Sequence, residues 1–473
     1  MQPPVDLSIE WAPDNDQGSL AFQLSGHIRA SIVNKQLVSG DRLPAARKLA
    51  LELGISRGTV TTAIEQLVAE GVLESQMGSG VFVSPDAQWT EKKTSTLSAA
   101  FVRLPVELPV PGIDGDEPCR IDFRPCRPSV AEFPVSQWRR CMAGISGAGP
   151  IADYGDPRGD RNLRQSISTY LRRARGLNAS TDEIIITNGA VHAMHLLASL
   201  FLDGSSQVIV EDPGYPLARQ TFELAGANIL PLPVDDDGLI VDALPVNPQQ
   251  VRFVYVTPSH QFPTGSRLAL GRRRALIEWA QRHKVVIVED DYDGEFRFDV
   301  APLAPMAAMD NNCVVYCGTF SKCLFPGLRM GYAVAPKPLI NVMARYRLMS
   351  EYAPNAPVQQ GLAQFIDQGF FEKHILRMRR AYGAKRRVVE QSVARHFPGS
   401  HLYGLQSGLH VVADLGEGIH AKDISERAKE RGILVNPMER YGYANSNSKS
   451  ALVIGYAASS GHEIEQGIEG FLP

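Results

Sequence analysis

The sequence lacks any apolar run near the ~18 residues that a bilayer-crossing helix requires. Its longest candidates, such as Leu196–Leu202, are short and sit within an amphipathic pattern, so no membrane association is expected. A basic-then-apolar leader is also missing after Met1-Gln2-Pro3-Pro4, and a signal peptide is not expected. Cysteine is sparse: Cys119, Cys126, Cys141, Cys313, Cys317 and Cys323 are scattered over 473 residues. Cys313 and Cys317 have no second Cys/His pair to complete a zinc site, so no metal is expected, and free thiols in a reducing cytoplasm fit the spacing. Nor is there an excess of one charge, with 48 Lys+Arg against 51 Asp+Glu. Any nucleic-acid surface must therefore be a local patch. No internal repeat is visible.

What is present is enough chain for more than one core, since a domain averages ~150 residues. Hydrophobic residues at 44% and charged residues at 21% are ordinary for a globular protein. One stretch breaks the pattern. Residues 85–118 carry Pro85, Pro105, Pro109, Pro111 and Pro118 among Thr94, Ser95, Thr96 and Ser98. That composition reads as a linker between modules at 17–84 and 119–473.

In the first module Leu20, Leu24, Ile28 and Ile32 recur every fourth residue as one helical stripe. A second helix is expected to open at Leu43-Pro44, with proline in its first turn, and to bury Leu49, Ala50 and Leu53. Gly54-Ile55 turns the chain, and Ser56 caps a third helix with Val60, Ile64, Leu67 and Val68 inward. Two short strands, Val72–Gln76 and Val81–Ser84, follow around Met77-Gly78-Ser79-Gly80. Between Leu20 and Val60 six cations (Arg29, Lys35, Arg42, Arg47, Lys48, Arg57) meet only Asp41 and Glu52, so the patch is basic although the whole chain is not. An ordinary three-helix domain with a solvated basic surface would show the same periodicity.

After the linker, short apolar runs alternate with longer helical patterns. Strands are expected at Ile184–Ile186, Gln207–Val210, Val251–Val256, Val285–Glu289, Val314–Cys317 and Met330–Ala335, with helices such as Ala190–Phe201 and Leu270–His283 between them. This alternation indicates an α/β fold with helices covering a sheet, and ligand chemistry in such folds gathers at strand ends. Lys322 stands at one such end in Gly318-Thr319-Phe320-Ser321-Lys322, with Arg329 seven residues on. A lysine amine there can form a Schiff base, while Thr319, Ser321 and Arg329 suit a phosphate. In Val286-Ile287-Val288-Glu289-Asp290-Asp291-Tyr292, alternation puts Asp290 and Tyr292 on one face and Asp291 on the other. A solvated acidic strand end is the plainer reading of that run. Asn188, Gly189 and Ala190 precede an apolar helix whose free N–H groups could receive a phosphate. Tyr215, in Glu211-Asp212-Pro213-Gly214-Tyr215, could lie on an aromatic ring or simply pack in its loop.

The ordered series Gly40-Asp41-Arg42-Leu43-Pro44, Arg47-Lys48-Leu49-Ala50, Ser56-Arg57-Gly58-Thr59-Val60 and Gly78-Ser79-Gly80-Val81-Phe82-Val83 resembles the winged helix-turn-helix of the GntR regulators over residues 17–84. The second series, from Tyr154-Gly155-Asp156-Pro157-Arg158-Gly159 through Thr257-Pro258-Ser259-His260-Gln261-Phe262-Pro263-Thr264-Gly265 to Ser321-Lys322, resembles a fold-type I aminotransferase. Together they resemble the MocR/GabR-like subfamily. That resemblance implies an N-terminal winged helix joined to a pyridoxal 5′-phosphate-binding α/β body. Lys322 would carry the cofactor as a Schiff base, Asp290 would meet the pyridine nitrogen and Tyr292 the ring oxygen. Tyr215 would stack, and Asn188, Gly189, Ala190, Thr319, Ser321 and Arg329 would surround the phosphate. Double-stranded operator DNA would be met by Arg47, Arg57, Thr59, Gly78, Ser79 and Gly80. The resemblance further implies a domain-swapped homodimer, with Tyr154 reaching across the interface, and a bacterial cytoplasmic regulator, nucleoid-associated on DNA, that senses a small amine, an amino-acid-like effector or the cofactor itself. An active aminotransferase with an accessory DNA-binding domain is the alternative. Two departures weigh on turnover: Val453 replaces the carboxylate-clamping arginine, and Phe262 replaces a cofactor-contacting asparagine. Arg219, Arg345 or Arg440 could then meet an anionic ligand instead, and nothing in the sequence selects among them.

Overall fold

Ser19 opens the first helix, its hydroxyl accepting from the Phe22 N–H at 3.3 Å. The resulting α1 (Leu20–Val33) buries Leu24, Ile28 and Ile32, whereas Leu20 stays exposed. The apolar stripe thus begins one turn later than its spacing predicts. The second helix, α2 (Ala46–Leu53), starts two residues after Pro44, so that proline lies outside its first turn. Gly54, left-handed at φ +67°, ends it. Ser56 then accepts from Thr59 N–H at 3.1 Å and starts α3 (Arg57–Ala69). The strands β1 (Leu73–Gln76) and β2 (Gly80–Val83) pair antiparallel, Leu73 opposite Val83 and Gln76 opposite Gly80. Leu24, Ile28, Leu49, Val60, Leu67 and Val83 form one core. Cutting any of its leucines to alanine would cost about 2–5 kcal/mol.

The computed structural model describes residues 11–14, 18–87, 119–146, 152–298, 304–416, 418–443 and 450–472. The chain divides into two units. The linker expected at 85–118 lies, beyond Ala87, outside the described residues.

In the second unit β3 (Ile121–Asp122) pairs parallel with a distant short strand, and the next strands build an eight-stranded sheet. These are β4 (Ile184–Thr187), β5 (Gln207–Asp212), β6 (Asn228–Asp235), β7 (Gly238–Leu239), β8 (Val251–Val256), β9 (Val286–Asp291), β10 (Val314–Thr319) and β11 (Gly331–Val334), in the order β4-β11-β10-β9-β8-β5-β6-β7. From β10 to β6 every neighbouring pair is parallel, and β11 runs antiparallel between β4 and β10. Both faces are covered. Ile184, Ile186, Val254 and Ile287 point into one apolar cluster; Ile185, Val208, Phe253 and Val288 point into the other. Burial on both sides explains why these strands read as continuous apolar runs. The helices Ala190–Phe201 and Leu270–His283 fall where expected. A four-stranded sheet follows from β12 (His401–Tyr403), β13 (His410–Asp414), β15 (Asn436–Pro437) and β16 (Leu452–Gly455), while β14 (Ile433–Leu434) is the partner of β3. Among the described residues no helix is long and apolar enough to cross a membrane.

Candidate functional site

The ends of the parallel strands β5, β8, β9 and β10, with the turn after β4, converge on a cavity that opens to solvent. Strand alternation aims the side chains. On β9, Glu289 turns away and accepts from the Met306 and Ala307 N–H groups at 2.9 Å each. Asp291 turns the same way, pairing with Arg175 and accepting from Tyr316 Oη at 2.7 Å. Asp290, on the other face, and Tyr292 beyond the strand's end line the cavity. All four are buried, so the acidic run is an internal structure and the reading of a solvated strand end is excluded.

Of the ten residues assigned to the cofactor from sequence, Lys322, Asp290, Tyr292, Tyr215, Gly189, Ala190, Thr319, Ser321 and Arg329 line this one cavity. Asn188 does not. Its side chain donates to Glu351 Oε2 at 3.3 Å, and its carbonyl accepts from Arg329 Nη2 at 2.9 Å. Gly189, at φ +90°, caps the helix Ala190–Phe201 without any side-chain cap, leaving the N–H groups at its start for an anion. A Cβ on Gly189 would meet the Arg329 guanidinium at 3.6 Å, an ordinary contact, so the φ of +90° rather than lack of space calls for glycine.

Asp290 is the strongest electrostatic feature. Its Oδ2 accepts from Tyr255 Oη at 2.8 Å, while Oδ1 is buried with no hydrogen-bond partner. Burial pushes its carboxyl up to about 6, opposed by the Tyr255 hydrogen bond and the charge of Lys322. An unpartnered buried oxygen is costly, and a ring N–H delivered into the cavity would satisfy it. The carboxyl, lysine, hydroxyls, helix start and arginine together form a donor set that fits a phosphorylated pyridine aldehyde. Behind Tyr215 lies a smaller hollow lined by Glu211, Arg219 and Tyr443 among others. Burial lifts Glu211 to about 7, although Thr257 donates to it from N at 3.1 Å and from Oγ1 at 2.6 Å.

Cys126 and Tyr255 also line the cavity and were not singled out from sequence. Tyr255 had a faint signal, two residues ahead of the Thr257-Pro258 motif. Cys126, held at φ +66°, had none. Val453 is fully buried in an apolar cluster with Phe262, Tyr292 and Met438, so the side where a clamping arginine was expected is greasy. Among the described residues Arg329 is the only arginine of the cavity wall. Arg345 and Arg440 are exposed elsewhere, and Arg219 borders the smaller hollow, its guanidinium 5.3 Å from the Tyr443 ring centre.

In the first unit Arg47 and Arg57 are exposed on α2 and at the start of α3. Thr59 is half-buried and its hydroxyl is 2.8 Å from Ser56 Oγ, so it is engaged in the helix cap. Gly78 and Gly80 take φ +76° and +122° around the hairpin turn, which a residue with a Cβ would adopt only under strain. Arg29, counted in the basic patch, is tied to Glu70 at 2.6 Å.

Residues 129–471 match the family described as Aminotransferase class I and II, and residues 20–83 match the bacterial regulatory proteins of the gntR family. The chain is 33% identical to the probable rhizopine catabolism regulatory protein MocR of Rhizobium meliloti, over 94% of this chain and 92% of that protein. It is 31% identical to the pyridoxine biosynthesis transcriptional regulator PdxR of Corynebacterium glutamicum, over 96% and 95%. Among solved structures, the Pyrococcus horikoshii kynurenine aminotransferase superposes with a TM-score of 0.68 at 29% identity, covering 75% of this chain and 90% of that one.

Proposed function

Given that the chain belongs to the MocR-type regulators of the gntR family, with an aminotransferase class I and II body, we propose that it couples a small amine or amino-acid-like effector, or the cofactor itself, to the occupancy of operator DNA. It is a DNA-binding transcriptional regulator, and its second unit binds pyridoxal 5′-phosphate. When bound, the cofactor supplies an aldehyde that combines reversibly with primary amines above an electron-withdrawing ring. Lys322 would provide the tethering amine and Asp290 Oδ1 would be the acceptor for a ring N–H. Tyr292 would donate to the ring oxygen, and Tyr215 would pack against the ring. Thr319, Ser321, Arg329 and the N–H groups after Gly189 would hold the phosphate, with the Asn188 carbonyl accepting from Arg329 and fixing it.

One observation carries the sensing role over efficient turnover. Val453, where that arginine would stand, is buried in an apolar cluster with Phe262, Tyr292 and Met438, and a bidentate arginine clamp is what orients amino-acid carboxylates for transamination. The effector acts by binding one arrangement of the regulator more tightly than another. Both arrangements are of a homodimer with exchanged winged helices, whose two heads dock on operator half-sites. Tyr154, 74% exposed and with its ring 4.7 Å from that of the 54% exposed Tyr352, offers the aromatic surface for the second subunit. The regulator works in the bacterial cytoplasm, on the nucleoid when bound to DNA. Arg47, Arg57, Thr59 and the turn Gly78–Gly80 meet the duplex.

Borohydride reduction of the yellow protein followed by peptide mapping is expected to place a pyridoxyl group on Lys322. Candidate amines that shift its absorbance are expected to change affinity for DNA from upstream of the gene. Absence of the adduct, or steady turnover at the rates of dedicated transaminases, would overturn this reading.

A further inference from the structure

We propose that His260 and Asp293 act as a positioning pair for Tyr292, turning its phenolic hydrogen into the cavity. The inference rests on the cofactor reading above and deepens it. His260 Nδ1 lies 2.9 Å from Asp293 Oδ2 and 2.9 Å from Tyr292 Oη. The side chains of His260 and Asp293 are each 1% exposed, and neither lines the cavity, whereas Tyr292 does. The fold makes room for the pair at Gly408. A Cβ there would stand 2.1 Å from His260 Cε1 and 2.7 Å from Asp293 Oδ2, and its φ of +88° suits glycine.

One nitrogen facing two oxygens constrains the hydrogens. An ionised Asp293 can only accept, which places the hydrogen on Nδ1. That N–H cannot also receive the hydrogen of Tyr292, so the phenol oxygen accepts and its own hydrogen is directed elsewhere. Phe262, its ring centre 6.0 Å from that of Tyr292, is apolar and offers no second donor at this wall. Hydrogen bonding to a ring oxygen here therefore depends on Tyr292, and Tyr292 depends on His260. The surrounding groups favour a phenol that keeps its hydrogen: burial first, then the neighbouring acidic groups Asp293, Cys126, Asp290 and Glu211, hold it well above its ordinary range. His410 packs on the far side, ring centres 5.0 Å apart, and burial and His260 push it down to about 4, so it stays neutral. His260, Asp293 and His410 also gather three donor atoms within 4.8 Å. With Asp293 committed to orienting His260, only the unpartnered His260 Nε2 and His410 Nδ1 remain, short of the three protein ligands of a zinc site.

The test follows the visible band of the cofactor-loaded protein against pH. A hydrogen bond to the negatively charged ring oxygen stabilises that form, so loosening it raises the pH midpoint. His260→Leu and Asp293→Asn are expected to raise it by about one pH unit, the size of one charged hydrogen bond. His260→Asn, which keeps an N–H near the place of Nδ1, is expected to hold the wild-type midpoint. In a Tyr292→Phe background His260→Leu is expected to add nothing, a result a merely structural histidine would not produce. If His260→Leu does not fold, Asp293→Asn carries the same test, because an amide at 293 can donate to Nδ1 and drive the hydrogen off it. A midpoint that ignores a folded His260→Leu or Asp293→Asn, or effects that add in the double variant, overturns the pair alone. A wild-type protein without a visible band overturns the cofactor reading and the pair with it.

Discussion

Tyr255 and Asp290 meet across neighbouring strands, the phenol donating to Oδ2 at 2.8 Å while Oδ1 is left buried and unpartnered in the cavity. The tyrosine occupies one carboxylate oxygen and so presents the other to the ligand. Asp290→Asn keeps the shape and removes the negative charge. Losing a charged hydrogen bond of about 1.5–3 kcal/mol should weaken cofactor retention roughly 10- to 100-fold. Tyr255→Phe should weaken it less, because the charge survives. Equilibrium dialysis with pyridoxal 5′-phosphate checks both, and an Asp290→Asn protein that keeps its cofactor as tightly would contradict the assignment.

Two of the buried carboxyls, Asp290 and Glu211, also set a pH dependence for the cofactor-free protein. In the folded chain burial raises Asp290 to about 6 and Glu211 to about 7, above their ordinary values of 3.8 and 4.5. Across the window from about 4 to about 7 the folded state holds protons that the unfolded state has released. Stability must then fall as pH rises through that window, being fullest below it. Urea midpoints measured across this range should decline, and Glu211→Gln should flatten the upper part of the decline. Cofactor addition should protect most above pH 6, where an ionised Asp290 gains its ring partner. A Glu211→Gln profile parallel to wild type would argue against this origin.

Much of this was legible in the chain because local pattern and burial agree. The helices Ala190–Phe201 and Leu270–His283 keep the bounds read from sequence, and β9 places Asp290 and Asp291 on opposite faces as alternation requires. What was not legible depends on distant partners. Glu289 and Asp291 read as a solvated acidic end because nothing nearby announces Arg175, Tyr316 or the Met306–Ala307 N–H groups that satisfy them. Cys126 reaches the cavity only through tertiary packing at a left-handed turn. Leu20 continues the helical spacing, but at the first residue of α1 it lies outside the apolar core and stays partly exposed. Asn188 sits in the motif yet turns its amide to Glu351, a choice no local rule decides.

The wing supplies the last prediction. Gly80 combines φ +122° with a tight neighbour, since a Cβ there would lie 2.9 Å from Arg42 Nε, and Arg42 bridges to Phe82 on the same hairpin. Gly80→Ala must therefore move the turn or the arginine. It should weaken DNA binding while leaving the visible band of the second unit unchanged. Arg57→Ala should cost about 1–3 kcal/mol on the preferred site and relax preference among sites, as loss of a base contact does. Arg47→Ala should weaken all duplexes alike and lower the slope of log affinity against log salt by about one, as loss of a phosphate contact does. Fluorescence anisotropy on upstream DNA and on a scrambled duplex, at several salt concentrations, separates the two. If Arg57→Ala weakens both duplexes equally with a reduced salt slope, Arg57 grips the backbone and sequence must be read by another part of the winged helix.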